Sequence, residues 1–167
     1  LNCFVAVLMG SDSDLPLMQS TLETLKSLKI PYEVKITSAH RTPATTHAYV
    51  KDAEQRGCGV FIAAAGMAAH LAGTVAGLTL KPVIGVPIDA GPLQGMDALL
   101  STVQMPAGIP VACVAIGKAG AKNAAYLAAQ ILATSDAELA NRLLAERAAQ
   151  SDAVIAKDRD LQAKLNA

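Results

Sequence analysis

No tryptophan occurs in the 167 residues, and all aromatic side chains together make up 3%. That scarcity removes the stacking platforms by which proteins grip unpaired bases. Net charge is equally absent. The 14 Lys and Arg residues balance 14 Asp and Glu, so no overall field draws the chain to nucleic acid or to an anionic membrane. Apolar residues reach 52%, yet no uninterrupted run approaches the roughly eighteen residues needed to cross a bilayer. The longest, from Val60 to Ala69, is broken by Gly66 and runs into His70. Cys3, Cys58 and Cys113 form neither a CxxC pair nor a ligand spacing, and read as small buried hydrophobes in a reducing compartment. His40, His47 and His70 make no HxH or HExxH pattern, so no metal is expected. The chain opens on a strand with no visible signal peptide, which points to the cytoplasm. The missing initiator Met leads us to expect a few residues ahead of Leu1.

What is present is alternation. Residues 3–9, 32–36, 60–65, 82–86 and 111–116 are short, almost continuously apolar runs, as strands covered on both faces should be. Between them, residues 15–28, 44–56, 69–78, 96–104 and 119–133 carry helical patterns. Repeated βα units predict an α/β chain with three layers, helices enclosing a doubly wound parallel sheet of five strands. A last helix over 137–157 follows, with Ser135 and Glu138 spaced as a capping box. We divide the chain into a domain over 1–134 and a helical extension over 135–167. The extension's Leu139, Leu143, Leu144 and Ala148 need a surface, on the parent domain or on a neighbouring subunit, and the neighbour is the one we expect. So many Ala and Leu residues without a membrane span favour an oligomer.

Three loops at predicted strand ends carry chemistry, and in an open α/β sheet that edge is where ligands bind. The first is Met9-Gly10-Ser11-Asp12-Ser13-Asp14. Its hydroxyl and backbone donors suit a phosphate at a helix start, with Asp14 better matched to sugar hydroxyls. Equally, Ser13 or Asp14 caps the following helix. The second is Ser38-Ala39-His40-Arg41-Thr42-Pro43. An imidazole gives and takes protons near neutral pH, Arg41 is a rigid fork for phosphate, and Ser38 can orient either. The third, Ala63 to Gly73, places small residues and His70 where a helix begins. Backbone N–H groups there suit a carboxylate or carbon dioxide, though small residues also permit tight packing. His47 lies within the 44–56 helix and reads as a surface or packing residue.

Together with Gly85-Val86-Pro87, Val103-Gln104-Met105-Pro106-Ala107-Gly108-Ile109-Pro110 and Ala115-Ile116-Gly117-Lys118-Ala119-Gly120-Ala121, these words occur in the order and spacing of a known family. The chain resembles the N5-carboxyaminoimidazole ribonucleotide mutases of purine biosynthesis. The resemblance implies a flavodoxin-like domain assembled as a homo-octamer, a small-molecule ribonucleotide substrate, and neither metal nor organic cofactor. It implies that a carboxylate moves from the exocyclic nitrogen to ring carbon C4. Carried onto matching positions, Ser11, Asp14 and Arg41 bind the nucleotide, His40 carries the proton, and Ser38 and His70 support the site. A related branch carboxylates the imidazole directly with carbon dioxide. It has Lys at the position of Arg41 and Arg-Ser-Asn at Ala68-Ala69-His70, so this chain sides with the mutases. A non-catalytic nucleotide-binding module is the other alternative. Departures from the family pattern are Met67 for Gly, Ala72 for Pro, Ala98 for Ser, and the stretch Ile88-Asp89-Ala90-Gly91-Pro92.

Overall fold

The computed structural model describes residues 3–166. It runs β1 (Phe4–Met9), α1 (Leu15–Ser27), β2 (Tyr32–Ile36), α2 (Pro43–Gln55), β3 (Cys58–Gly66), α3 (Leu71–Ala76), β4 (Val83–Ile88), α4 (Met96–Val103), β5 (Ala112–Cys113), α5 (Lys118–Ala133) and α6 (Ala137–Leu165). The strands pair in parallel in the order β2-β1-β3-β4-β5. The winding direction therefore reverses between β1 and β3, opening a crevice at their carboxyl ends.

Alternate residues of β1 feed two cores, because side chains of a strand point to opposite faces in turn. Val5, Val7 and Met9 pack with α1 and α5, while Ala6 and Leu8 pack with α2 and α3. Along α1, Met18, Leu22 and Leu25 repeat at helical spacing and are buried. Its neighbour α5 turns Ala121, Ala124, Ala125, Ala128 and Ala129 inward. Methyl-sized contacts let the two helices approach until Thr21 Oγ1 donates to the Ala121 carbonyl at 2.6 Å. At the start of α5, Gly120 lies against the backbone carbonyl of Ala115, and a Cβ there would run into it.

The sheet departs from expectation at its far edge. β5 keeps only Ala112–Cys113 of the expected 111–116. Pro110 precedes it, and the chain beyond is held irregularly beside β4, with Val114 N donating to Gly85 O at 3.0 Å and Gly117 N to Pro87 O at 2.9 Å. α3 is likewise shorter than the predicted 69–78, spanning only Leu71–Ala76. β3 is longer, reaching Gly66.

The capping box at Ser135 and Glu138 does not form. Leu139 N donates instead to Asp136 Oδ1 at 2.8 Å. Thr134, Ser135 and Asp136 each donate their N–H back to carbonyls of residues 131–133, so the turn out of α5 continues one residue further and Asp136 becomes the cap. From there α6 docks on its own domain. Leu139 is fully buried, Arg142 Nε donates to Leu28 O at 2.9 Å, and Tyr126 donates to Glu146 at 2.9 Å. The later turns stand clear, with Val154, Ile155, Leu161 and Leu165 exposed. Among the described residues no helix is long and apolar enough to cross a membrane.

Candidate active site

Gly10 N donates to Ala64 O at 3.1 Å, tying the loop after β1 to the end of β3. Ser11 caps a single 3-10 turn, Asp12–Asp14. Its Oγ accepts from Ser13 N at 3.2 Å and from Ser13 Oγ at 2.8 Å. The expected capping of α1 by Ser13 or Asp14 is not made. Asp14 occupies the N-cap position without a side-chain cap bond, and a proline fills the first turn. Asp14 is nevertheless only 8% exposed. Burial raises its carboxyl above the ordinary range, a hydrogen bond with the Ser11 backbone opposes this, and the nearby Asp12 charge adds to it.

The loop after β2 is closed by hydroxyls. Thr42 Oγ1 accepts from Ser38 N at 2.9 Å and lies 3.2 Å from both Ser38 O and Thr37 Oγ1. Thr37 in turn meets Thr46 Oγ1 at 2.7 Å, and both of these threonines are buried. Ser38 Oγ accepts from Arg41 N at 3.1 Å. A turn pinned at its base leaves His40 and Arg41 exposed at its tip. The threonines escaped the sequence reading. Their one signal is a pair of threonines a helical turn apart at a helix start, where hydroxyls bond to nearby backbone.

After β3 the chain turns at Met67, whose φ is 55°. Ala69 N donates to Met67 O at 2.8 Å and His70 N to Ala68 O at 2.9 Å. Two N–H groups expected to be free at the helix start are thus engaged within the turn. His70 is the N-cap of α3, and its ring faces the other loop. His70 Nδ1 lies 2.6 Å from His40 Nε2, the rings meeting edge to face at 76°. One of these two nitrogens donates and the other accepts.

Ser11, Asp14, Ser38, His40, Arg41 and His70 all line one cavity of about 270 Å³. Gly10, Ser13, Ala39, Ala65, Gly66, Met67, Ala68, Leu71 and Ala90 complete its wall. His47 lies on the exposed side of α2, outside this lining. A larger hollow of about 850 Å³ opens between α5 and α6, against Tyr126, Leu127, Leu143 and Arg147. It contains none of the loop residues gathered at the carboxyl edge. The candidate residues from the three loops gather in the smaller cavity.

A family model described as AIR carboxylase matches residues 4–153. This chain belongs to that family. It is 54% identical over 151 residues to the N5-carboxyaminoimidazole ribonucleotide mutase of Escherichia coli (strain K12), with 90% of this chain and 89% of that protein covered. It is 52% identical over 158 residues to the enzyme of the same name from Mycobacterium leprae (strain TN), covering 95% and 91%. Among solved structures, Treponema denticola PurE superposes with a TM-score of 0.85 at 32% identity, covering 95% of this chain and 98% of that one. The flavodoxin-like α/β/α architecture is therefore that of the AIR carboxylase family. All six candidate residues fall inside the family match, and the last turns of α6 fall outside it.

Proposed function

We propose that this chain is a mutase of purine biosynthesis that converts N5-carboxyaminoimidazole ribonucleotide to 4-carboxy-5-aminoimidazole ribonucleotide. The observation that carries this reading is the pairing of His40 with His70 across 2.6 Å at a cavity with hydroxyls, a carboxyl and a guanidinium along one part of its wall and small apolar side chains along another. His40 protonates the carbamate nitrogen, the N–C bond breaks, and carbon dioxide is released within the site. The freed aminoimidazole is enamine-like, so its C4 attacks the trapped molecule and forms the new C–C bond. His40 then takes the C4 proton, restoring aromaticity and its own starting state. Positioned proton transfer contributes typically ~10²–10⁴-fold, and retention of carbon dioxide beside C4 supplies effective concentration for the second step.

In this scheme Arg41 and the Ser11 loop hold the phosphate, Asp14 accepts from ribose hydroxyls, Ser38 fixes Arg41 through its backbone, and His70 steadies His40. The chemistry as written requires neither metal nor cofactor. The assembly is a cytoplasmic homo-octamer. Support for association comes from α4 and the turn before it, where Leu93, Met96, Leu100 and Val103 form a stripe at helical spacing with 60%, 53%, 52% and 45% of their surface exposed.

The test supplies purified protein with either the N5-carboxy substrate or the unsubstituted aminoimidazole ribonucleotide plus low bicarbonate, and follows the 4-carboxy product. Rapid product from the first and little from the second is expected. The reverse preference would make it a carbon dioxide-dependent carboxylase, and nucleotide binding without turnover would make it a binding module.

A further inference from the structure

The cavity wall divides by chemistry. Ser11, Ser13, Asp14, Ser38 and Arg41 supply its polar portion, whereas Ala65, Gly66, Met67, Ala68, Leu71 and Ala90 supply an apolar one. A ribonucleotide's phosphate and hydroxyls are matched by the first. Carbon dioxide has no net dipole and donates no hydrogen bond, and is matched by the second.

Met67 is the unusual member of that apolar set. Among the described residues only Lys29, Met67 and Gln94 combine a side chain with positive φ, and of these only Met67 lines the cavity. A left-handed backbone strongly favours glycine, so a large side chain held there against that preference demands an account. Its neighbours supply one. A Cβ built on Gly91 would lie 3.2 Å from Met67 Cγ, 3.6 Å from Sδ and 3.7 Å from Cε, so the Met67 side chain runs along Gly91. One residue earlier on each segment, a Cβ on Gly66 would come within 2.9 Å of Ala90 Cβ. The loops after β3 and β4 are therefore in contact, with Met67 laid across the seam. Met67 lines the cavity and keeps 54% of its surface exposed, so it is free to move at the cavity wall. A thioether on an unbranched chain moves aside for an entering substrate and settles back.

We propose that in this chain, where Met67 replaces the family's glycine and fills the space over Gly91, Met67 is the side chain that holds released carbon dioxide at the apolar end until C4 attacks it. This rests on the mutase reading above. Carbon dioxide lost at that stage leaves the unsubstituted aminoimidazole ribonucleotide as a side product, with the carbamate N–C bond broken and no C–C bond formed. Met67 touches neither proton and acts by position alone.

The test compares wild type, Met67→Gly and Met67→Leu on the N5-carboxy substrate. Two quantities are read, after subtraction of the enzyme-free rate: aminoimidazole ribonucleotide released per 4-carboxy product formed, and uptake of carbon label from bicarbonate into that product. Glycine suits the left-handed backbone at this position, so Met67→Gly is expected to fold. Its release ratio should rise about tenfold, the rate factor of a barrier reduced by what one apolar side chain of that size contributes. Label uptake should rise with it, and Met67→Leu should stay near wild type. A folded, active Met67→Gly enzyme that partitions like wild type would overturn the proposal. So would product formation by every variant with neither label nor release, which would leave the mutase reading standing. Absence of 4-carboxy product from wild type would instead sink the mutase reading itself.

Discussion

The two parts of the cavity are built by opposite means. The polar part is held by side chains bonded to one another and to nearby backbone: Ser11 to Ser13, Ser38 to Arg41, Thr42 to Ser38. The apolar part is held by what side chains lack, with Gly66 against Ala90 and Gly91 beneath Met67. Hydrogen bonds position groups that must recognise a shape and a charge. Small residues bring backbone segments together so that one large side chain can close over them.

The contrast can be broken most severely at His40, where the two loops meet. His40→Asn should lower turnover by ~10²–10⁴-fold, the usual worth of a positioned proton carrier, while binding of the 4-carboxy product changes by less than about threefold. Turnover is read from steady-state kinetics and binding by calorimetry. Binding lost in parallel with turnover would move His40 from proton carrier to ligand contact.

A smaller effect is expected at Thr42, which does not itself line the cavity but, through its bond to Ser38, pins the turn that presents His40. Thr42→Val should reduce kcat about 10- to 100-fold with a lesser change in KM, because loosened positioning costs rate before affinity. Thr42→Ser, which keeps the hydroxyl, should restore most of it. A Val variant matching wild type in kcat would show that the hydroxyl network serves stability alone.

The smallest effect concerns the cost of burying Asp14. Its carboxyl sits above the ordinary value of 3.8, first because it is buried. An acid raised in the folded state holds its proton more firmly there than in the unfolded chain. The penalty for ionising it is therefore absent below that ordinary value and complete above the raised one. Asp14→Asn should thus melt higher than wild type at neutral pH, lose that advantage in acid, and bind ribonucleotide more weakly. Melts across this pH range decide it. An advantage independent of pH would assign the gain to something other than charge burial.

The fold was legible because the strands are short and apolar, save edge strand β2 where Glu33 and Lys35 alternate with apolar residues, and each chemistry-bearing word follows a strand. Residues at strand ends converge on the crevice by topology, which is why Ser11, Asp14, Ser38, His40, Arg41 and His70, picked out from the sequence, line one cavity. What escaped was tertiary. Ser135 and Asp136 are both good caps, and only the continued turn out of α5 selects the second. Beyond Cys113 the chain follows β4 irregularly, with Gly117 N bonded to Pro87 O, a contact outside its own segment. The turn at Met67, with its positive φ, lays the side chain along Gly91, a residue twenty-four positions away. The Thr37–Thr42–Thr46 lattice joins a strand end to a helix start, a relation that helical spacing reveals only in part.

Gly120 shows how such requirements accumulate out of sight of the chemistry. Any side chain there would run into the Ala115 carbonyl, at a helix start that contributes nothing to the cavity lining. Rescue by a compensating change elsewhere is closed off, since the obstacle is main chain and every residue type carries the same carbonyl. A geometric veto and a chemical necessity leave the same mark on a sequence, a letter that cannot be changed. Here the collision with Ala115 marks the requirement at Gly120 as geometric, whereas the one proposed at His40 is chemical.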